Sequence, residues 1–358
     1  MQRDQAPGLS RPPPARTHPA APLGTARPAR ADQVRLPFRR RIRRAPVRRA
    51  PPPGRVMSVT PPVARLSVRP APVFRGRIGR DARSGHYAVP RRYRLHLSPA
   101  DPDGLRIAVT HSLLGLDRAC PVTVLPAVPD CPDGGHGALR PLYDASAHHY
   151  TGPAVAPVLS DDWSGRIVST HGPDIARDLA ELSETGVPPA DGCGKSGGGR
   201  AALYPCGAES EIEAVERMCA QGIEAAAQRA GAAGTGTAER AAALDTLLHT
   251  LGVLDQGLCV QPFLIDDQIT AADVELWVAL VQLDTVHRHH LDAEAVHRIA
   301  GHPALWAYAR RLAGHPAFGV HLDLDGIARR HHARCQGLEA AGSAVQILDW
   351  AAHTAPVQ

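Results

Sequence analysis

The segment Tyr93-Arg-Leu-His-Leu-Ser-Pro-Ala-Asp-Pro-Asp-Gly-Leu-Arg106 constrains this chain more than any other. Alternating apolar residues at Tyr93, Leu95 and Leu97 predict a short strand. Asp101-Pro102 then predicts a helix starting at the proline, because Asp is a strong N-cap acceptor and Pro carries the φ that the first helical position needs. A helix start of this kind is where a reactive cysteine has its thiolate stabilised by the helix dipole. Here that place is held by Asp101. A carboxylate does not attack sulfur to form a mixed disulfide, so the role expected for Asp101 is a cap.

The patterning around this segment extends it into a domain. A second strand is expected over 121–125, then a long Pro/Gly/His loop from Pro126 to about Gly137 and a polar stretch. The turn Asp161-Asp-Trp-Ser-Gly165 separates strands over 154–159 and 166–169, and 173–182 reads as a helix. A βαβ unit followed by a hairpin and a helix is the thioredoxin-like order. From Glu209 onward apolar residues recur at helix spacing, clearly over 241–254, 271–286 and 303–312. Ile269-Thr270-Ala-Ala-Asp273 is an acidic variant of the capping box. The expected fold class is therefore α/β plus all-α: an N-terminal thioredoxin-like domain followed by a C-terminal all-helical domain. The expected boundaries are a leader over 1–70, the first domain over 71–185, a linker over 186–202, the helical domain over 203–345 and a tail over 346–358.

Charge separates the leader from the rest. Residues 1–56 hold fourteen arginines against Asp4 and Asp32, although the whole chain is only +5. Rich in Pro, Arg and Ala and without apolar patterning, the leader is expected to be disordered, with Met57 a plausible alternative start. Its run Arg39-Arg-Arg-Ile-Arg-Arg44 offers non-specific contact with nucleic acid and no more. Seven cysteines with no C-x-x-C spacing fit reduced thiols, hence a cytoplasmic protein. Gly194-Lys195-Ser196 fails as a phosphate loop, since Pro189 stands where the first glycine is required. No stretch has the length and apolarity of a membrane span. His287, His289 and His290 are nearly adjacent and lack the i, i+4 pairing that converges ligands on one helical face, so no metal site is expected from them.

Several further motifs point the same way. Phe74-Arg-Gly-Arg-Ile78, Ala156-Pro157-Val-Leu159, Ala202-Leu-Tyr-Pro205, Phe263-Leu-Ile-Asp-Asp-Gln-Ile-Thr-Ala-Ala-Asp273 and His302-Pro-Ala-Leu-Trp306 stand in that order, with Leu283-Asp284 and His290 between the last two. Together with the strand and helix over 93–116 and the Arg/His run over 327–332, they resemble the glutathione transferase superfamily. The resemblance covers about residues 72–340 and is strongest to the xi class, the glutathionyl-hydroquinone reductases. It implies glutathione as a cosubstrate, a quinone-like or aromatic second ligand, a homodimer and a cis peptide bond before Pro157.

The departures from that class surround one site. Where its members carry C-P-W-A, this chain has Asp101-Pro102-Asp103-Gly104, with Arg106 retained. The Glu-Ser pair that fixes the γ-glutamyl end of glutathione falls on His171-Gly172. No tryptophan occupies the G-W-x-F position near 134–138. Ala156 and Pro157 keep a backbone able to pair with glutathione whatever the side chains. The tyrosines of the quinone pocket fall on Gln228, His287 and His331, and two readings stay open for the two histidines: proton donors near neutral pH, or drift to solvated residues in a chain with nineteen histidines. Three functions follow: a silent protein binding an aromatic or quinone-like ligand; a residual transferase in which a bound thiol is the nucleophile, needing an N–H or hydroxyl donor near Asp101, for which Ser98 is the nearest candidate; and a non-catalytic dimeric interaction protein.

Overall fold

A computed structural model of the chain describes residues 74–79, 85–184, 202–265, 267–335 and 340–353. The expected leader and the expected linker up to residue 201 lie outside them. Strands β1 (Arg77–Gly79) and β2 (Gly85–Tyr87) form a small parallel pair ahead of β3 (Tyr93–Leu97). Helix α1 (Pro102–Leu113) follows, then β4 (Val122–Val124), the short helix α2 (Arg140–Ser146), β5 (Val158–Asp161), β6 (Arg166–Ser169) and α3 (Gly172–Glu184). The four-stranded sheet has the order β4-β3-β5-β6, with β3 parallel to β4 and antiparallel to β5, and β5 antiparallel to β6. That is the thioredoxin-like topology.

The period-2 pattern of β3 decides which face is covered. Tyr93, Leu95 and Leu97 are buried and share a core with Ile107 of α1 and Ile175 and Leu179 of α3. The opposite face is closed by α2, whose Tyr143 packs with Val158, Ile167 and Phe74. This helix was not expected from the sequence, where its region reads as polar. At seven residues it is too short to show a helical period. The Ala156–Pro157 bond is cis.

The helical half begins with α4 (Glu209–Met218), which passes through a π-helical turn, Cys219–Glu224, into α5 (Ala225–Gly231). Then come α6 (Thr237–Leu258), α7 (Ala271–Thr285), a 3-10 turn at His287–His290, α8 (Ala293–Ala300), α9 (Pro303–Ala313), α10 (Pro316–Gly319) and α11 (Leu324–Arg334). Helix α7 is buried on nearly all sides, carboxylates Asp273 and Asp284 included, and lies at the centre, with Trp277 fully buried. Its capping box forms: Asp273 accepts from the Thr270 N–H at 2.8 Å and the Thr270 hydroxyl at 2.9 Å.

The expected tail boundary needs correction. Residues beyond 345 include α12 (Trp350–His353), and Leu348 and Trp350 are both buried. The Trp350 indole donates to Asp284 Oδ2 at 2.8 Å and its ring meets Trp277 edge-on. A buried carboxylate on α7 supplies the partner that a buried indole N–H requires, so this segment belongs to the helical core. Among the described residues, no helix is long and apolar enough to cross a membrane.

Candidate functional site

Asp101 is the N-cap of α1, its carboxylate accepting from the Asp103 N–H at 3.1 Å. The second carboxylate oxygen accepts from the guanidinium of Arg330 on α11. Arg330 also donates to the Ala127 carbonyl at 3.0 Å, so one side chain ties the helix start, the 126–137 loop and the helical half together. Burial pulls the Arg330 pKa down against the attraction of Asp101, yet a guanidinium stays charged at any ordinary pH. Both groups are thus engaged with each other.

Beside this pair opens a cleft of about 340 Å³ between the α1 N-terminus and the helical half. Ala100, Pro102 and Ile327 give it apolar surface, while Gln228, His287 and His331 give it polar groups. The three positions that the sequence assigned to a pocket are therefore brought together, from α5, the turn after α7, and α11. Of the two readings of His287, proton donation suits its surroundings less. Burial, with repulsion from His290 and His331, lowers its pKa to about 4, so near neutral pH it is an uncharged hydrogen-bonding ring and not an acid.

The positions expected to hold glutathione do not line this cleft. His171 precedes α3 and its Nδ1 stands 3.1 Å from both Arg75 and Asp174. Asp174 accepts two bonds from Arg75, at 2.9 and 2.7 Å. Burial works to raise the Asp174 pKa, but Arg75 and His171 hold it below the usual carboxylate range. Gly172 touches α1 directly: a Cβ placed there would stand 2.9 Å from Asp103 Cγ. Ser98, expected as a donor, is buried at 1% exposure beneath the helix, with its backbone packed against Gly104, and it does not line the cleft.

A second cross-link runs deeper. Arg106 pairs with Asp103 on its own helix and with Glu275 on α7, one of its bonds to Glu275 measuring 3.0 Å, and it stands 3.9 Å from Glu224. Burial opposes the charge on Arg106, but Glu275 and Asp103 outweigh it and raise its pKa. Burial raises the pKa of Glu275 and of Glu224, with Arg106 resisting in each case.

Sequence reasoning missed Arg330, Glu224 and Cys335 at the cleft. Arg330 meets Asp101 only through tertiary packing, which no local motif reports. Glu224 sits in the π-helical turn, a device that re-aims side chains and is frequent at functional sites.

The family model for the glutathione S-transferase C-terminal domain matches residues 237–311. The glutathionyl-hydroquinone reductase PcpF of Sphingobium chlorophenolicum is 29% identical over 253 residues, covering 66% of this chain and 75% of that protein. The glutathionyl-hydroquinone reductase YqjG of Escherichia coli K12 is 27% identical over 276 residues, covering 72% and 80%. Among solved structures, a glutathione transferase from Gordonia bronchialis superposes with a TM-score of 0.61 at 27% identity, covering 72% of this chain and 81% of that one.

Proposed function

The chain belongs to the glutathione transferase superfamily, alongside the glutathionyl-hydroquinone reductases of the xi class, and from that premise we propose that it binds an aromatic or quinone-like ligand in its cleft and lacks thiol-dependent reductase activity. The observation that carries this reading is the state of Asp101. Its two carboxylate oxygens are engaged, one by the helix cap and the other by Arg330. The group at the helix start is then a structural cross-link, and no thiolate stands there to take glutathione as a mixed disulfide.

The cleft is the part that remains. About 340 Å³ falls within the usual range of small-molecule sites, and apolar walls with a few convergent polar groups are what such sites present. Gln228 and the uncharged His287 offer hydrogen bonds to a quinone or phenol oxygen without the cost of burying a charge. Cys335 also lines the cleft, but it caps the C-terminal end of α11. That is the opposite helix end from the one that supports a reactive thiolate in this fold. Glutathione keeps a cis-proline backbone to pair with, while the side chains at 171 and 172 no longer offer the acid and hydroxyl. The residual-transferase reading, which calls for an N–H or hydroxyl donor near Asp101, ranks below, because its nearest candidate, Ser98, is buried and does not line the cleft.

The test uses duroquinone, whose ring positions are all blocked so that it does not alkylate thiols. It is expected to raise the melting temperature of the full chain, and His287→Ala and Gln228→Ala are expected to remove most of that rise. A glutathionyl-hydroquinone is expected to be left intact in the presence of excess glutathione. Absence of any thermal shift overturns the ligand half of the reading, and release of free hydroquinone overturns the other half.

A further inference from the structure

The cleft contains one grouping that ligand binding leaves unexplained, a thiol set beside two imidazoles. His331 and Cys335 are four residues apart at the end of α11, so both project from the same side of that helix. His290 arrives from a different element, the 3-10 turn after α7. Its Nε2 lies 3.5 Å from Cys335 Sγ, and its ring stands 5.1 Å from that of His331 at an angle of 62°. One donor atom from each of the three lies within 4.8 Å of the other two. All three line the cleft and are partly buried.

We propose that His290, His331 and Cys335 form a binding site for zinc(II), with a fourth coordination position open to the cleft. A tetrahedral zinc ion holds sulfur at about 2.3 Å and imidazole nitrogen at about 2.0 Å, which sets neighbouring ligand atoms roughly 3.3–3.8 Å apart. The observed sulfur-to-nitrogen distance of 3.5 Å already meets that spacing. The remaining separations, at most 4.8 Å, close with small rotations of the imidazole rings. The donor set selects the class of metal. A thiolate with two imidazoles suits zinc and disfavours magnesium or calcium, which take oxygen ligands. Three protein ligands facing open volume is the arrangement of a site that keeps a position for water or another ligand. On binding, the Cys335 thiol gives its proton to solvent and its sulfur lone pair to the metal; nothing is oxidised or reduced. Arg330 and Arg334 also line the cleft and oppose a cation. Arg330 is neutralised by Asp101, and the thiolate offsets part of the charge of the ion.

The residues that form this set explain why the histidine run alone does not show it. Of His287, His289 and His290 only the last takes part, and the i, i+4 pair that convergence requires is His331 and Cys335 on another helix.

The test uses the full chain, reduced, stripped with a chelator and exchanged into metal-free buffer. Cobalt(II) is the spectroscopic probe, and zinc(II) is then titrated against a chromogenic chelator. One equivalent of cobalt is expected to give a thiolate-to-metal charge-transfer band in the near ultraviolet, and one equivalent of zinc to abolish it. Cys335→Ala should remove the band, whereas Cys259→Ala, at an exposed thiol elsewhere, should retain it. His290→Ala and His331→Ala should each weaken zinc by about tenfold or more, the least expected when even an outer partner of a metal site is lost. Circular dichroism checks that each variant is folded, with His331→Gln as a milder substitute. No band in the wild type, a band surviving in Cys335→Ala, or unchanged zinc affinity in both histidine variants overturns the proposal. None of these results bears on whether duroquinone binds, so the two readings fail separately.

Discussion

At residue 172 the lack of a side chain is what allows Asp103 to stand where it does. A Cβ there would lie 2.9 Å from Asp103 Cγ, closer than packed carbon atoms approach, and Asp103 is held in place by Arg106. Residues 103 and 172 thus press on each other: a side chain at 172 requires the Asp103 carboxylate to move from its place beside Arg106. Restoring a serine alone forces the carboxylate aside. Gly172→Ser is expected to destabilise the protein by about 1–3 kcal/mol, as overpacking does. In the background of Asp103→Ala the same substitution should cost clearly less, with a coupling of about 0.5 kcal/mol or more. Urea denaturation of the four proteins reads this directly, and strictly additive values would mean that the two residues do not press on each other. The sequence reveals both substitutions by their place in a motif. It does not reveal their contact, because 69 positions separate residues that only the fold makes neighbours.

The elements that could be read from the sequence are those whose local signals agree with their final environment. Strand β3 alternates because one of its faces is buried, and α1 starts at Pro102 because Asp101 caps it. Helices α2 and α12 were missed for a common reason: at seven and four residues they contain too little period to detect, and tertiary partners decide their burial. The boundary of α7 was legible through its capping box, but the energetic reach of that box was not. Asp273 also accepts from the Leu264 N–H at 3.0 Å and from the Tyr308 hydroxyl at 2.8 Å, so one buried carboxylate serves four donors from three segments. Burial, and after it the proximity of Asp273, push the Tyr308 pKa well up. Asp273→Ala leaves those donors without an acceptor and is expected to cost about 3–5 kcal/mol of stability. Asp273→Asn keeps one carbonyl oxygen and should cost less. Denaturant midpoints measure both. A loss below about 1 kcal/mol in the alanine variant, the size of an ordinary surface change, would show that the box is only local.

Across the whole molecule, helix α1 shares an apolar core with the helical half through Leu105 and Val109, and two ion pairs cross the same boundary beside the cleft, Asp101 with Arg330 near the helix start and Arg106 with Glu275 one turn later. Neither pair is a source of net stability in the way that apolar packing is, since burying the charges costs about what their attraction returns. They act as a register between the halves. The sequence showed Arg106 as a retained residue but could not show its three carboxylate neighbours, which come from two different helical segments and α1 itself. Their arrangement makes a prediction about pH. In Arg106→Met, the partly buried Glu275 and Glu224 lose the cation beside them, and the expected loss at pH 7.5 is about 3 kcal/mol, the low end for a buried pair. Burial already raises the pKa of both carboxyls, and without Arg106 it rises further. The folded variant then binds more protons than the unfolded chain, whose glutamates titrate near 4.3. Stability of the variant must therefore increase as the pH falls from 7.5 toward 5.5, and the gap to the wild type must narrow. Glu275→Gln combined with Arg106→Met removes one of the two titrating groups and should flatten part of that slope. Equilibrium denaturation at the two pH values decides it. A deficit in Arg106→Met that is constant with pH would mean that the carboxylates find water or another cation, and that the lock between the halves lies elsewhere.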